Sequence, residues 1–514
     1  MAGCAAENEQ KKQLTAIDIL GERRKRGPLF YCPCKVAKLE HSGQDKEELR
    51  GEDRISQLPQ DILVAILSRL TLQEAGRTSV LSNKWRYLWT FITRRLNFDA
   101  WKSVLNSDLS RGVRINSFTY ASWVNQVLKH HQSPFIDEFI ICFCLDHHFY
   151  HHVDSWIKFA FGKGVKRFEL NLLNDGPLDC RPSYKFPSLE KFQSSSNTVQ
   201  GMQLYGHATR AVGSIGFSSL TTLRLTYVNV TDKIIENFLG NCPLLEELHV
   251  VWSKRLRNLK VVGISLKLKS LEISNCISLR GLEICAINLV SFSYTGQRIR
   301  LLLTNVPVLS KFSTAGDYCQ HLMYKDHMDS SYLQQLERLK MKFVSEVFKA
   351  SISFTQEFTK LCRLKQLELE IWAELGDSLV IYTCLIKACP SLSRFAMRYT
   401  RARLYHFEES STSSGEVRLN VVEEARVQAS TRFQHQCLKV VELAGFIGHA
   451  EDLELASHLL EIAVSLDKLV INPRNPYFLD NPDIPMKSED LERGRKCARL
   501  LETKLPPKAS LVVL

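Results

Sequence analysis

Two groups of cysteine and histidine residues are the side chains in this sequence best suited to binding a metal ion. Cys32-Pro33-Cys34 and the run His147-His148-Phe149-Tyr150-His151-His152 offer thiolate and imidazole ligands. A tetrahedral zinc site normally needs two correctly spaced pairs, and neither group has an obvious partner pair. The sequence also has no phosphate-binding P-loop, nucleophile elbow or His-Glu-x-x-His helix. We therefore predict no catalytic residue, no metal and no cofactor, and interpret the histidine run as a surface helix or loop.

The composition is that of a large soluble protein. The chain has 514 residues, of which 45% are hydrophobic and 24% charged, so several packed units or one long repetitive unit are expected. The most apolar stretch, 135–145, is broken by Asp137 and Glu138, and residues 1–13 lack the apolar core of a secretory signal. The 15 cysteines are scattered through apolar segments and are predicted to be reduced thiols. These features predict a protein of the cytoplasm, the nucleus or both, with no membrane partner.

The net charge of +12 is compatible with a nucleic-acid partner, but the excess is spread along the chain. The concentrated basic run is Arg23-Arg24-Lys25-Arg26. It fits either a nuclear localisation signal or an ordinary charged part of a disordered extension, and the sequence does not decide between them. A dispersed positive charge favours an anionic partner surface in general.

Residues 58–89 predict a compact unit of three short helices. Apolar residues recur every three or four positions on one face of the first helix: Leu58, Ile62, Leu63, Ile66, Leu67 and Leu70. Pro59 marks the first helical position. A second helix over 74–80 and a third, capped by Ser82, complete the unit. So small a unit cannot bury all of these apolar side chains, and we expect some of them to face a partner.

The same segment resembles the F-box, in the form typical of plants. The resemblance rests on Leu58-Pro59, Ile62-Leu63, Leu81-Ser82, Trp85-Arg86 and Leu88-Trp89. F-box proteins dock on a Skp-type adaptor, which links them to a cullin scaffold and a ubiquitin-conjugating enzyme. The resemblance implies the following adaptor-facing residues: Leu58, Pro59, Ile62, Leu63, Ile66, Val80 and Leu81. Trp85 and Trp89 are expected to be buried, because large aromatic side chains at helical spacing usually pack inward. The alternative is a helical cap that closes its own core.

From about Ile136 onward a Leu-x-x-Leu-x-Leu frame recurs, which predicts short strands with one buried face. Clear copies begin at Leu220, Leu245, Leu268, Leu336 and Leu364, and degenerate copies at Ile136, Val165, Leu189, Leu289, Leu309 and Leu392. Several copies follow a proline, which ends the preceding segment without needing a ladder donor. The frame is that of leucine-rich repeats and predicts an α/β solenoid, or horseshoe.

The spacing of the frame predicts a change of architecture in the middle of the solenoid. After Leu248 the frame recurs at Leu259, Leu271, Leu282 and Phe292, about half a repeat apart. A coil that short cannot enclose a core, so we expect strands on both flanks of each coil. Leu248, Leu271 and Phe292 would lie in the main sheet, and Leu259 and Leu282 on the return side.

The C-terminal segment predicts a strand over 435–446, a helix over 451–463, a second strand over 466–471 and a helix over 488–503. Leu438-Lys439-Val440-Val441, Gly445-Phe446 and Leu469-Val470-Ile471 resemble the FBD domain that follows the repeats in many plant F-box proteins. Its simplest role is a cap over the last repeat. The predicted boundaries are a disordered extension over 1–51, the F-box over 52–97, a helical linker and repeat cap over 98–135, repeats over 136–405, a linker over 406–430 and the FBD segment over 431–514.

These features predict a non-catalytic substrate receptor of a Skp-cullin-F-box ubiquitin ligase, whose repeat surface captures a target protein. Candidate target-binding residues occupy outward positions between the buried leucines: Thr222, Arg224, Thr226, Glu247, His249, Glu272, Glu368 and Glu370. A repeat scaffold that acts without the ligase, or a nucleic-acid-associated protein, is the alternative. The absence of a basic stripe interleaved with aromatic residues argues against nucleic acid. An enzyme with an unrecognised site is the third class.

Overall fold

The computed structural model describes residues 55–99, 116–172, 184–188, 217–263, 265–321, 331–344, 360–402, 433–476 and 488–514. These residues fall into two compact units, the first within 1–181 and 192–219 and the second within 182–191 and 220–514. The predicted extension over 1–51 with its basic run and Cys32-Pro33-Cys34, the repeat frame at Leu189 and the linker over 406–430 lie outside the described residues.

The first unit begins with the predicted helical cluster. It comprises α1 (Gln60–Leu67), α2 (Leu72–Arg77) and two 3-10 helices, Thr78–Val80 and Trp85–Phe91. A capping box starts α2: the Thr71 hydroxyl accepts from Glu74 N at 3.2 Å, and Glu74 Oε2 accepts from Thr71 N at 2.9 Å. Trp85 and Trp89 are buried as predicted. The predicted N-cap at Ser82 is wrong, because its buried hydroxyl hydrogen-bonds to no described residue.

A small parallel sheet completes the first unit. Its elements in chain order are β1 (Arg95–Asp99), α3 (Ser117–His130), β2 (Glu138–Cys142), the 3-10 helix His147–Phe149, α4 (Tyr150–Gly162) and β3 (Arg167–Asn171). The strands pair in the order β1-β2-β3. Strands β2 and β3 confirm the degenerate repeat frames that begin at Ile136 and Val165. The rings of Phe139 and Phe168 are stacked, with their centroids 6.1 Å apart. Strand β1 was not predicted, and the Tyr120 hydroxyl on α3 donates to its Phe98 carbonyl at 2.7 Å.

The second unit contains a long parallel sheet. Its strands are β4 (Thr222–Thr226), β5 (Glu247–Val251), β7 (Ser270–Ser274), β9 (Ser291–Thr295), β11 (Lys311–Ala315), β12 (Arg338–Val344), β13 (Gln366–Glu374), β14 (Arg394–Ala402), β15 (Val440–Ala444), β16 (Lys468–Asn472) and β17 (Ser510–Val513). They pair in the order β4-β5-β7-β9-β11-β12-β13-β14-β15-β16-β17, and the labels β6, β8 and β10 belong to a second sheet. The helices of this unit are α5 (Asp232–Asn241), α6 (Asp317–His321), α7 (Cys384–Lys387), α8 (Ala450–Ile462) and α9 (Ser488–Leu500), with 3-10 helices at Ser331–Gln335, Val380–Thr383 and Leu501–Lys504. A further 3-10 helix, Phe217–Ser219, belongs to the first unit. The leucines of the described frames are buried, and most of the residues that alternate with them are exposed or half-buried.

A second sheet confirms the predicted change in the middle of the repeats. It consists of β6 (Asn258–Val262), β8 (Gly281–Cys285) and β10 (Arg300–Thr304), in the order β6-β8-β10. Leu259 and Leu282 lie in this sheet, whereas Leu248, Leu271 and Phe292 lie in the main sheet. Here each coil therefore has a strand on both flanks, as its short length requires.

The C-terminal strands continue the main sheet and enclose a buried ion pair. Arg401 Nη2 on β14 lies 3.1 Å from Asp452 Oδ1 on α8, and the two side chains are 2% and 0% exposed. The other carboxylate oxygen of Asp452 accepts hydrogen bonds from three consecutive backbone N–H groups, Ile447, Gly448 and His449, at 3.0–3.1 Å. This pair joins α8, the preceding loop and β14 into one packed region.

A helix that crosses a bilayer must be both long and apolar. Among the described residues, no helix meets both requirements for spanning a membrane.

Candidate docking surface and polar sheet face

The helical unit exposes apolar side chains that a closed core would bury. Val80 and Leu81 are 59% and 65% exposed, and Ile62 and Ile66 on α1 are 45% and 41% exposed. Ile62 and Ile66 are four residues apart and therefore share one face of the helix. These four side chains form the candidate docking surface of the helical unit.

The local fold explains why these residues point outward. On the adjoining face of α1, about 100° round the helix axis, Leu63 and Leu67 are fully buried. Lys84 Nζ donates to the carbonyls of Ser56 and Leu58, and Trp85 Nε1 donates to Ser56 Oγ at 2.7 Å. These bonds fasten the segment before α1 to the last helix of the unit.

The structure places the implied adaptor-facing residues in two groups. Pro59, Ile62, Ile66, Val80 and Leu81 are exposed and Leu58 is half-buried, but Leu63 is completely buried. Leu63 is therefore a core residue and is removed from the surface set. Three further exposed apolar residues were not in that set: Ile55, Leu70 and Tyr87. Leu70 carried a sequence signal, since it continues the spacing of the first helix.

On the main sheet, the first group of predicted target-binding residues forms a connected polar cluster. Arg224 Nη2 donates to Glu247 Oε2 at 3.1 Å, and His249 Nδ1 lies 2.7 Å from Glu272 Oε2. The hydrogen bond with His249 lowers the pKa of Glu272 against the opposing effect of burial, and Ser274 and Arg224 lower it further. Thr222 is buried and Thr226 half-buried at the ends of β4. We refer to Arg224, Glu247, His249 and Glu272 as the β4–β7 cluster.

The second group lies on β12 to β15. Lys340 Nζ is 2.9 Å from Glu368 Oε1, and Lys342 Nζ is 2.7 Å from Glu370 Oε1. Arg398 Nε lies 3.3 Å from Glu368 Oε1. In the same region Arg394 and Glu442 form a two-pronged hydrogen bond at 2.7 and 3.0 Å. Both groups of acidic residues are therefore paired with neighbouring basic side chains. Between them, β9 and β11 present Ser291, Ser293, Thr295, Lys311 and Ser313.

The pairing of Glu272 predicts a pH-dependent contribution to stability. Its pKa is lower in the folded chain than its ordinary value of 4.5, so the contribution is present above that value and is lost as the pH falls through the folded-state pKa. We expect Glu272→Gln to lower the urea midpoint relative to the wild type at about pH 7, and to differ less from it at about pH 3.5. Urea denaturation at both pH values measures this. Glu283→Gln, which removes a more exposed pair with Lys260, is the control. A Glu272→Gln difference that is the same at both pH values would contradict the prediction.

The histidine run lies at the start of α4, as a surface segment. The ligand atoms of Asp146, His147 and His148 are within 4.8 Å of one another, and all three residues are exposed. His152 Nδ1 instead pairs with Asn125 Nδ2 at 3.2 Å. Asp146, His147 and His148 are the residues that could hold a cation here, in an open position with three adjacent ligands.

Parallel strands that repeat along a sheet, together with a helical unit that exposes apolar side chains, are typical of a leucine-rich-repeat protein with an N-terminal helical module. The profile described as "At1g61320/AtMIF1, LRR domain" matches residues 127–510, and the F-box domain profile matches residues 55–94. The chain belongs to the At1g61320/AtMIF1 leucine-rich-repeat family and carries an F-box domain. Proteins with this combination are generally non-catalytic adaptors.

Several Arabidopsis thaliana proteins are similar to parts of the chain. The F-box/LRR-repeat protein At3g03360 is 30% identical over 233 residues, 43% of either protein. The putative F-box/LRR-repeat protein At5g02700 is 29% identical over 198 residues, 38% of either protein. The F-box/FBD/LRR-repeat protein At1g13570 is 34% identical over 203 residues, 38% of this chain and 43% of that protein. The chain thus spans less than half the length of each of these relatives.

Proposed function

We propose that this protein is the substrate-recognition subunit of a Skp-cullin-F-box ubiquitin ligase. The observation that carries the proposal is the exposure of Ile62, Ile66, Val80 and Leu81 within a segment that matches the F-box. Because these four side chains are 41–65% exposed, burying each of them against a partner contributes roughly half of the 1.5–3 kcal/mol typical of a fully exposed side chain, before the costs of association. A Skp-type adaptor is the partner, and a cullin scaffold joins through it.

The repeat domain supplies target capture in this proposal. Its long sheet exposes polar side chains in fixed register, and a bound target would be held near the conjugating enzyme. Holding the two together raises the effective concentration of the target lysine without any chemistry from this chain. The β4–β7 cluster and the ion pairs on β12 to β15 are the proposed target contacts. A target would have to offer charges that replace these internal pairs.

The proposal assigns two further features. We propose that residues 431–514 form an FBD-type cap, a role supported by the continuation of the main sheet through β17 and by the FBD name of one relative. The ligase role also places the protein in the cytoplasm, the nucleus or both. Fractionation of cells that express a tagged chain tests the second point.

A charge placed on the docking surface is expected to abolish adaptor binding. In a pull-down with a purified Skp-type adaptor, Leu81→Glu should reduce recovery at least about tenfold, because an unpaired carboxylate would be buried at the interface. Leu500→Glu is the matched control, since Leu500 is 64% exposed against 65% for Leu81 and lies on α9. Leu58→Ala with Pro59→Ala tests the segment before α1.

Recovery of the Leu81→Glu chain at the wild-type level would remove the ligase assignment. A folded variant is verified by an unchanged circular dichroism spectrum. Equal loss of recovery in Leu81→Glu and Leu500→Glu would also count against a specific docking surface.

A further inference from the structure

A cleft of about 810 Å³ beside the second sheet is lined by four exposed arginines. They are Arg257, Arg280, Arg298 and Arg300. Backbone hydrogen bonds place Arg257, Arg280 and Arg300 side by side, where β6, β8 and β10 begin. Arg280 N donates to the Arg257 carbonyl at 2.7 Å, and Arg300 N donates to the Arg280 carbonyl at 3.0 Å. Because neighbouring strands are about 4.8 Å apart, these arginines are concentrated at one end of the sheet.

The positive charge of this cleft is not compensated within the part of the chain that the structure describes. No ion pair or side-chain hydrogen bond joins any of the four guanidinium groups to a described residue. The nearby Asp232 carboxylate is used differently, since its Oδ1 accepts from the backbone N–H groups of Arg257 and Asn258 at 2.9 and 3.2 Å. On the main sheet, by contrast, neighbouring charges such as Lys340 and Glu368 alternate in sign. Like charges on adjacent strands are destabilising, so the cleft is suited to an anion supplied from outside.

The remaining lining indicates which kind of anion fits. Ile277 is 47% exposed and Gln297 is exposed, so the cleft offers one apolar contact and an amide beside the charges. None of the described residues that line it is an aromatic residue that could stack against a nucleic-acid base. Guanidinium groups form two-pronged hydrogen bonds with carboxylates. These features fit a peptide that carries several carboxylates and an apolar residue.

We propose that this arginine cleft binds an acidic segment of a protein. The segment belongs to the ubiquitination target, and in this respect the inference rests on the proposed function. Its aspartate or glutamate side chains pair with Arg257, Arg280, Arg298 and Arg300, and an apolar side chain covers Ile277. The cleft is thus a target-binding surface separate from the polar face of the main sheet.

Fluorescence anisotropy with the full chain and a fluorescein-labelled octaglutamate peptide tests this site. Arg257→Gln with Arg280→Gln should weaken binding roughly tenfold or more, because two charge-assisted contacts are lost. Lys311→Gln with Lys468→Gln removes the same net charge from exposed positions at the ends of β11 and β16 and should change the affinity less than about twofold. An equal affinity of both double variants would overturn the proposal. A labelled twelve-nucleotide single strand that binds more tightly than the peptide, with the same dependence on Arg257 and Arg280, would overturn it in favour of nucleic acid.

Adaptor binding measured on the same proteins separates the two hypotheses. If the chain binds the adaptor but the two double variants bind octaglutamate with equal affinity, the acidic-peptide site is wrong and the ligase role is unaffected. If the wild-type chain does not bind the adaptor but Arg257→Gln with Arg280→Gln weakens octaglutamate binding, the ligase role is wrong and the acidic-peptide site is supported.

Discussion

Asp452→Ala is expected to lower the free energy of unfolding by about 3–5 kcal/mol, because it leaves a buried cation without its partner. Arg401 is 2% exposed and would lose the Asp452 carboxylate 3.1 Å away. The same change removes the acceptor for the N–H groups of Ile447, Gly448 and His449, so the loop before α8 loses its anchor. Arg401 would keep its hydrogen bonds to the carbonyls of Glu374 and Asp377. Urea denaturation followed by circular dichroism measures the loss.

Asp490→Ala provides the matched control for this experiment. Asp490 also pairs with an arginine, Arg493, at 2.6 Å, but those side chains are 34% and 46% exposed. We expect a loss of about 0–1 kcal/mol for this exposed pair. If Asp452→Ala and Asp490→Ala lower the free energy of unfolding by similar amounts, burial does not strengthen the contribution of the Arg401–Asp452 pair to stability.

Gly445→Ala is expected to destabilise the chain by roughly 2–6 kcal/mol, through backbone strain of about 1–3 kcal/mol and displacement of a packed neighbour by a similar amount. Gly445 has a φ of +94°, which favours glycine. A Cβ atom there would lie 1.9 Å from the Tyr399 carbonyl oxygen and 3.2 Å from Pro476 Cδ. The Tyr399 carbonyl belongs to β14, so the overlap with its oxygen can be relieved only by moving backbone. Pro476 lies beyond the end of β16 and is half-buried.

Gly376→Ala separates the two contributions. Gly376 has a similar φ of +88°, but its nearest atom to an added Cβ, Glu451 Oε1, is 4.0 Å away. This variant should therefore show the strain without the overlap, about 1–3 kcal/mol. Thermal unfolding of the two variants beside the wild type measures the difference. A loss in Gly445→Ala no larger than that in Gly376→Ala would mean that the Tyr399 backbone yields without cost.

The repeat strands could be predicted because their buried residues alternate over a fixed frame. Leu248 and Val250, for example, are both fully buried in β5, and Glu247, His249 and Val251, which alternate with them, are half-buried. Strand β10 was missed because Leu301-Leu302-Leu303 is a continuous apolar run that hides the alternation. Strand β1 was missed because its five residues follow directly on a helical pattern.

Features that depend on contacts between distant segments could not be predicted. Tyr227 and Trp252 have a φ of +58°, because the ends of β4 and β5 turn sharply while Tyr227 N donates to the Val251 carbonyl at 2.9 Å. Nothing in their residue types predicts that conformation, since bulky residues rarely adopt it. Asp452 was assigned to the helix over 451–463, and only the contact with Arg401 shows that it is buried.

The candidate docking surface was predicted as a segment but not residue by residue. Ile62 and Leu63 are adjacent apolar residues, and composition alone does not show which of the two faces the core. The packing of α1 decides this, leaving Ile62 45% exposed and Leu63 buried. The candidate target-binding residues lie on strands that the repeat frame predicts, but their mutual ion pairs depend on the register between strands, which the sequence does not give.

Isothermal titration calorimetry of a purified Skp-type adaptor with the full chain measures whether the F-box segment docks. We expect a saturable one-to-one interaction that Leu81→Glu abolishes and Leu500→Glu leaves unchanged. Absence of binding to the wild-type chain, or undiminished binding to Leu81→Glu, would contradict this expectation.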